Sequence, residues 1–203
     1  MHTALEKTGE HVVKKNRIIV GITGATGAVY GMTLLQALKK IKATETHLVI
    51  SAAGKDLLAM EIGKRAIEKA VSLADRCYDN DDLAAPISSG SFRTDGMIIA
   101  PCSAKTLSAI GHAYGDNLIH RAADVVLKER RKLVLLFRET PLNLGHIQNM
   151  AQVTNMGGII LPPVPAFYHK PKMIADIVNQ TIGKVLDLFT LEHQLYTRWG
   201  EKR

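Results

Sequence analysis

Five short apolar runs, at residues 17–23, 47–51, 96–100, 133–137 and 158–161, are separated by segments long enough to be helices. The runs are nearly continuous in Ile, Val, Leu and Met rather than alternating with polar residues, as expected of strands buried on both faces. The segments between and after them, at 28–41, 52–74 with a break near Gly63, 104–113, 118–129, 146–154 and 172–191, carry apolar residues at helical spacing. Strands and helices in alternation predict a three-layer α/β/α architecture on a doubly wound parallel sheet, Rossmann-like in type. No internal repeat or linker interrupts the pattern, so residues 17–203 read as one domain. Residues 1–16, "MHTALEKTGEHVVKKN", read as a flexible tail.

Composition narrows the class. Hydrophobic residues make up 46% of the chain and charged residues 22%, close to the soluble globular average. No apolar run approaches the roughly 18 residues of a membrane-spanning helix. The first sixteen residues lack a signal peptide's apolar core and carry two glutamates, which disfavours a transit peptide. The two cysteines, Cys77 and Cys102, show no CxxC spacing, so neither a disulfide framework nor a zinc site is indicated and a cytoplasmic location is expected. A formal charge of +7 favours anionic ligands. Nucleic acid is not expected, because aromatic residues are 5% of the chain and form no stacking pattern with the basic ones.

In a sheet of this type, ligands bind beyond the carboxyl ends of the strands. "TGATGAVYG" follows the first run. Gly24 and Gly27 let backbone approach an anion at a helix start, yet the GxxGxxG spacing is neither the GxGxxG of dinucleotide binders nor a P-loop. The second run ends in Ser51 rather than in the acid that would hold a dinucleotide ribose. Hydroxyls at Thr23, Thr26 and Ser51 suit a monophosphate and a ribityl chain, which points to FMN. A tight strand-to-helix turn with no ligand is the competing reading.

Further candidates follow the later runs. "PCSAKT" places Ser103, Ala104, Lys105 and Thr106 at a helix start, where hydroxyl, ammonium and helix dipole favour an anion. Cys102 lacks a nearby histidine in sequence and reads as buried and inert, and Ser103 lacks the GxSxG of a hydrolase nucleophile. Arg138 and Glu139 follow a buried strand directly and face the ligand side. Lys128, Arg130, Arg131 and Lys132 read mostly as a solvated helix end. Tyr168 lies in the proline-braced "PAFYHKP", a rigid connector or a phosphate contact. The eight histidines show no HxH or HExxH spacing, and Asp79, Asp81 and Asp82 read as a solvated loop, so no metal site is expected.

Taken together, "TGATGAVYG", "ISSGSFRTDGMIIAPCSAKTLSAI", "NLIHRAADVVLKERRKLVLLFRE", "PPVPAFYHKP" and "RWGE" occur in an order that resembles the flavin prenyltransferase (UbiX-like) family over about residues 17–200. The "ISSGSFRTDGMI" wording is similar to members paired with phenolic-acid decarboxylases. The resemblance implies metal-independent transfer of a dimethylallyl group from dimethylallyl monophosphate to N5 and C6 of reduced FMN. The prenylated FMN then serves a partner decarboxylase of the UbiD type. It implies an FMN-binding flavoprotein domain and a homo-oligomer, commonly a dodecamer.

Residue by residue, the resemblance implies that Gly24, Ala25 and Thr26, Ser51, and Ser103, Ala104, Lys105 and Thr106 hold the flavin. Ser89 and Arg121 line the flavin site, in part across subunits. Lys128, Arg138, Tyr168 and Lys184 clamp the prenyl phosphate, and Glu61 and Glu139 are catalytic carboxylates. Thr26 stands where many members have serine, and Lys184 where some have arginine, which exchanges a bidentate fork for a point charge.

The implied chemistry matches these residue types. Cleaving an allylic carbon–oxygen bond develops negative charge on phosphate and positive charge on the allyl group. Without a metal, Lys128, Arg138 and Lys184 would stabilise the first; the flavin or Trp199, the sole tryptophan, would stabilise the second. Glu61 or Glu139 would move the C6 proton. Trp199 reads equally well as a C-terminal anchor. Two rival functions remain open at this point, an FMN carrier module and a flavoprotein that itself decarboxylates aromatic acids.

Overall fold

The computed structural model describes residues 15–200. The expected tail, 1–16, lies outside the described residues but for Lys15 and Asn16, and Asn16 already opens the first strand. In chain order the elements are β1 (Asn16–Ile22), α1 (Ala28–Lys40), β2 (Thr44–Ile50), α2 (Ala52–Glu61), α3 (Ala66–Leu73), β3 (Arg76–Tyr78), a 3-10 turn (Pro86–Ser88), β4 (Gly96–Cys102), α4 (Ala104–Gly111), α5 (Leu118–Lys128), β5 (Lys132–Phe137), α6 (Leu144–Asn155), β6 (Ile159–Ile160) and α7 (Ile174–Leu188).

The six strands form one parallel sheet in the order β3-β2-β1-β4-β5-β6. Period-2 geometry divides each central strand between two cores. Ile18, Val20 and Ile22 face one side with Val134 and Leu136, against α1 and α7 through Leu34, Leu38, Ile182 and Val185. Ile19, Met97, Ile99, Leu133 and Leu135 face the other, against α4, α5 and α6 through Leu107, Ile119, Val126 and Val153. Covering on both faces is why these strands read as continuous apolar runs. Each fully buried Leu or Ile contributes about 1.5–3 kcal/mol.

The 52–74 segment is two helices separated around Gly63, at φ +130°, where the break was expected. One element differs from the sequence expectation. The strand β3 was not expected at all: its three residues, Arg76, Cys77 and Tyr78, sit on the sheet edge with two of them exposed, so they carry no apolar run. No helix among the described residues is long and apolar enough to cross a membrane.

Candidate functional site at the carboxyl end of the sheet

Connections run outward in opposite directions from β1 and β4, so the point between their carboxyl ends is where a crevice opens. Thr23 and Ser103 meet there. The Thr23 hydroxyl donates to the Pro101 carbonyl at 2.8 Å and accepts from the Ser103 amide at 2.9 Å. This corrects one expectation: Thr23 is 2% exposed, and its hydroxyl joins two strand ends instead of reaching a ligand.

A cleft of about 660 Å³ lies above this seam. Its walls come from residues 23–26, 51–53 and 103–106, from Asn80, Asn117, Ile119 and His120, and from Arg138 and Glu139. Three helices present their amino ends to it, each started by a capping side chain. Ser51 accepts from Gly54 N at 3.1 Å, Ser103 from Thr106 N at 3.3 Å, and Asn117 from His120 N at 3.1 Å. Such caps fix the first turn and leave neighbouring amides to bind an anion. Lys105 and Arg138 add side-chain charge to the same walls.

The glycine-rich turn is shaped by close approach. A Cβ on Gly24 would lie 2.5 Å from the Ala53 Cβ, so only glycine lets the turn pack on α2. Gly27 adopts φ +102° at the start of α1, a region glycine enters without penalty. The amides opening α1 are taken: the Glu61 carboxylate accepts from Gly27 N at 3.0 Å and from Ala28 N at 2.8 Å. Within this chain the turn therefore holds its own carboxylate, and the amino ends facing the cleft belong to α2, α4 and α5.

Gly24, Ala25, Thr26, Ser51, Ser103, Ala104, Lys105, Thr106 and Arg138, expected at the flavin, and Glu139, expected as a catalytic carboxylate, thus line one cleft. The remaining expected residues do not join them within one chain. Ser89 follows the 3-10 turn, and Arg121 and Lys128 lie on α5: Ser89 pairs with Ser91 at 2.9 Å, Arg121 bonds the Ser88 carbonyl and Asp124, and Lys128 pairs with Glu129. Lys128 is the last residue of α5, which returns to the start of β5, so it sits at the amino edge of the sheet. Lys184 is exposed on α7, one turn from Leu188, whose carbonyl bonds Lys132 at that same edge. Tyr168 meets Trp199 edge-on at 5.4 Å, and Trp199 is 82% exposed. Cys102 is fully buried, and burial pushes its thiol far above the ordinary range. Asp79, Asp81 and Asp82 form no metal-holding group, and none occurs among the described residues.

Three polar cleft residues escaped sequence reasoning: Asn80, Asn117 and His120. The Asn80 carbonyl and side chain accept from Leu118 N at 2.7 Å and Ile119 N at 3.2 Å, tying the loop after β3 to α5. The His120 side chain is 3% exposed with Nδ1 2.7 Å from Asp116 Oδ1. Burial pushes its pKa down and outweighs Asp116, which raises it. The Asn just before an apolar-periodic run was a cap signal that could have placed this helix start at the crevice.

The Flavoprotein family model matches residues 6–191. The flavin prenyltransferase UbiX of Escherichia coli K12 is 55% identical over 185 residues, 90% of this chain and 97% of the relative. A dodecameric FMN-dependent UbiX-like decarboxylase from Escherichia coli O157:H7 superposes with a TM-score of 0.88 at 50% identity, covering 91% of this chain and all of that one. A UbiX protein (PadA1) in complex with FMN and dimethylallyl pyrophosphate superposes with a TM-score of 0.89 at 48% identity, covering 93% of this chain and all of that one.

Proposed function

The chain belongs to the Flavoprotein family and, within it, to the UbiX-like flavin prenyltransferases, and on that footing we propose that it joins a dimethylallyl group from dimethylallyl monophosphate to N5 and C6 of reduced FMN. The observation that carries this reading is the cleft itself, where three capped helix starts, Lys105 and Arg138 surround space for a mononucleotide and Glu139 stands beside them. Residues 17–203 act as one FMN-binding domain.

The donor set fits FMN. Amides at the starts of α2 and α4, with the Ser51, Ser103 and Thr106 hydroxyls and Lys105, suit its phosphate and ribityl chain, while residues 24–26 border the ring. When bound, reduced FMN supplies the nucleophilic atoms that take the prenyl group. Arg138 sits at the meeting of flavin and prenyl phosphate and stabilises the charge that grows on the leaving group. Glu139, its sequence neighbour, is placed to accept or return a proton at the reacting face. Glu61, held at the α1 amides, is the second carboxylate.

The clamp is completed by assembly. Lys128 and Lys184 lie towards the opposite edge of the sheet from Arg138, so in a homododecamer they and Tyr168 serve the clefts of neighbouring chains, with Ser89 and Arg121. The product passes to a UbiD-type decarboxylase, and the location is cytoplasmic.

The test is anaerobic incubation of the purified protein with reduced FMN and dimethylallyl monophosphate, without added metal, followed by the mass of the extracted flavin. A flavin heavier by one dimethylallyl unit supports the transferase. Unmodified FMN bound by folded protein overturns it and favours a carrier. The pyrophosphate ester run in parallel identifies the preferred donor.

A further inference from the structure

The Asp116–His120 pair is not used by the chemistry above, yet its histidine stands in the wall of the flavin cleft. Here the structure assigns His120 a role of its own, resting on the FMN reading: we propose that FMN binding is coupled to uptake of one proton at His120, which thereby becomes a positioning cation for the anionic flavin. Nδ1 lies 2.7 Å from Asp116 Oδ1 and so carries the hydrogen in the neutral ring. Nε2 then keeps the lone pair, and the Asn117 side-chain nitrogen sits beside both ring nitrogens, 3.0 Å from Nδ1 and 3.5 Å from Nε2. The proton comes from solvent and adds to Nε2, and no other bond changes.

The charges around the ring explain why it stays neutral before the ligand arrives. Burial and the Lys105 ammonium both disfavour a cation, against Asp116 alone. From the α4 side, His112 and Tyr114 share a second hollow with Lys105 and His120, and Arg138 and Glu139 stand on the walls of the same cleft. On α5 itself, Arg121 and Asp124 are paired with each other at 2.8 Å. Beneath it, the His47 of β2 is bonded to Glu45 and Tyr78. The 3-10 turn Pro86–Ser88 brings no titratable side chain. A phosphate-bearing ligand in this cleft offsets Lys105 and adds attraction for a proton, so the imidazole gains one where the empty site would not.

Linkage then fixes the sign. FMN affinity falls as pH rises between the pKa of His120 in the empty site and its higher value in the complex, by up to about tenfold per pH unit for one proton. Titration of the assembled protein with oxidised FMN, by calorimetry at pH 7.5 in buffers of differing ionisation enthalpy, counts the protons. Above pH 7 the free FMN phosphate is mainly a dianion, its second pKa being about 6, so its own titration contributes little. Uptake approaching one proton per chain in the native protein, abolished in His120→Asn, is the expected result. FMN binding without proton uptake, or uptake retained in His120→Asn, overturns the proposal. Should that variant not fold, the native protein decides alone: FMN affinity that is flat from pH 7 to 9 overturns it. Absence of FMN binding in the native protein at every pH overturns the FMN reading instead.

Discussion

The Ser103 amide donates to the Thr23 hydroxyl at 2.9 Å across 80 residues of chain. This bond, with the one from Thr23 to the Pro101 carbonyl, sets the end of β1 against the start of α4. The position of one cleft wall relative to the other depends on it.

Thr23→Val keeps the shape and removes the hydroxyl, leaving a buried amide and carbonyl without that partner. The expected cost is about 1–3 kcal/mol, or several degrees in Tm for a chain of this size. FMN affinity should fall with it, because the α4 amides shift. Calorimetric Tm and FMN fluorescence quenching measure the two effects, and an unchanged Tm would refute the role of the bridge.

Glu61 is assigned two roles, a cap on α1 and a proton carrier, and substitution separates them. Loss of the cap in Glu61→Ala should cost about 1 kcal/mol. Glu61→Gln retains an acceptor for the amides and should fold normally while losing about 10²–10⁴ in turnover. Normal turnover in Glu61→Gln would leave only the cap.

Because Lys128 and Arg138 lie at opposite edges of one chain's sheet, inactive Lys128→Ala and Arg138→Ala chains should complement each other when co-expressed. Mixed assemblies would contain some sites with both native residues. Turnover above that of either variant alone is the expected outcome. Mixtures as inactive as their components, despite proven co-assembly, would exclude a shared site.

The C-terminal segment is latched to α7 at Asp187, which accepts from Tyr196 at 2.6 Å, Arg198 at 2.6 Å and His193 at 3.1 Å. Burial works against the carboxylate, but these donors outweigh it and hold its pKa below the ordinary value. A depressed folded pKa means the latch contributes fully above about pH 4, the unfolded value, and is lost as pH falls through the folded pKa. Trp199 fluorescence should therefore stay constant from pH 8 to 5 and change only in stronger acid. Asp187→Asn should show the released signal at neutral pH.

The central strands and most helices were legible because double burial writes itself as continuous apolar runs, and the cradle residues were legible because they follow those runs directly. Strand β3 was hidden, since an exposed edge imposes no pattern. The Glu61 cap could not be read either: it joins residues 34 apart in sequence, and nothing local marks it. His120 was passed over as a histidine without metal spacing, although its place three residues after Asn117 put it in a first helical turn. The separation of Lys128 from Arg138 was within reach, because a helix that returns to the next parallel strand must end at that strand's amino edge.

The amino ends of α2, α4 and α5 add to the attraction that Lys105 and Arg138 exert on an anion at the cleft, and backbone amides have no protonation state to lose and no side chain to delete. Single replacements among the walls can therefore weaken a bound flavin without expelling it. That gives the site evolutionary latitude: the residues that decide what is done to the flavin can drift while the flavin stays in place, and a chain can pass from one chemistry to another without an unliganded intermediate.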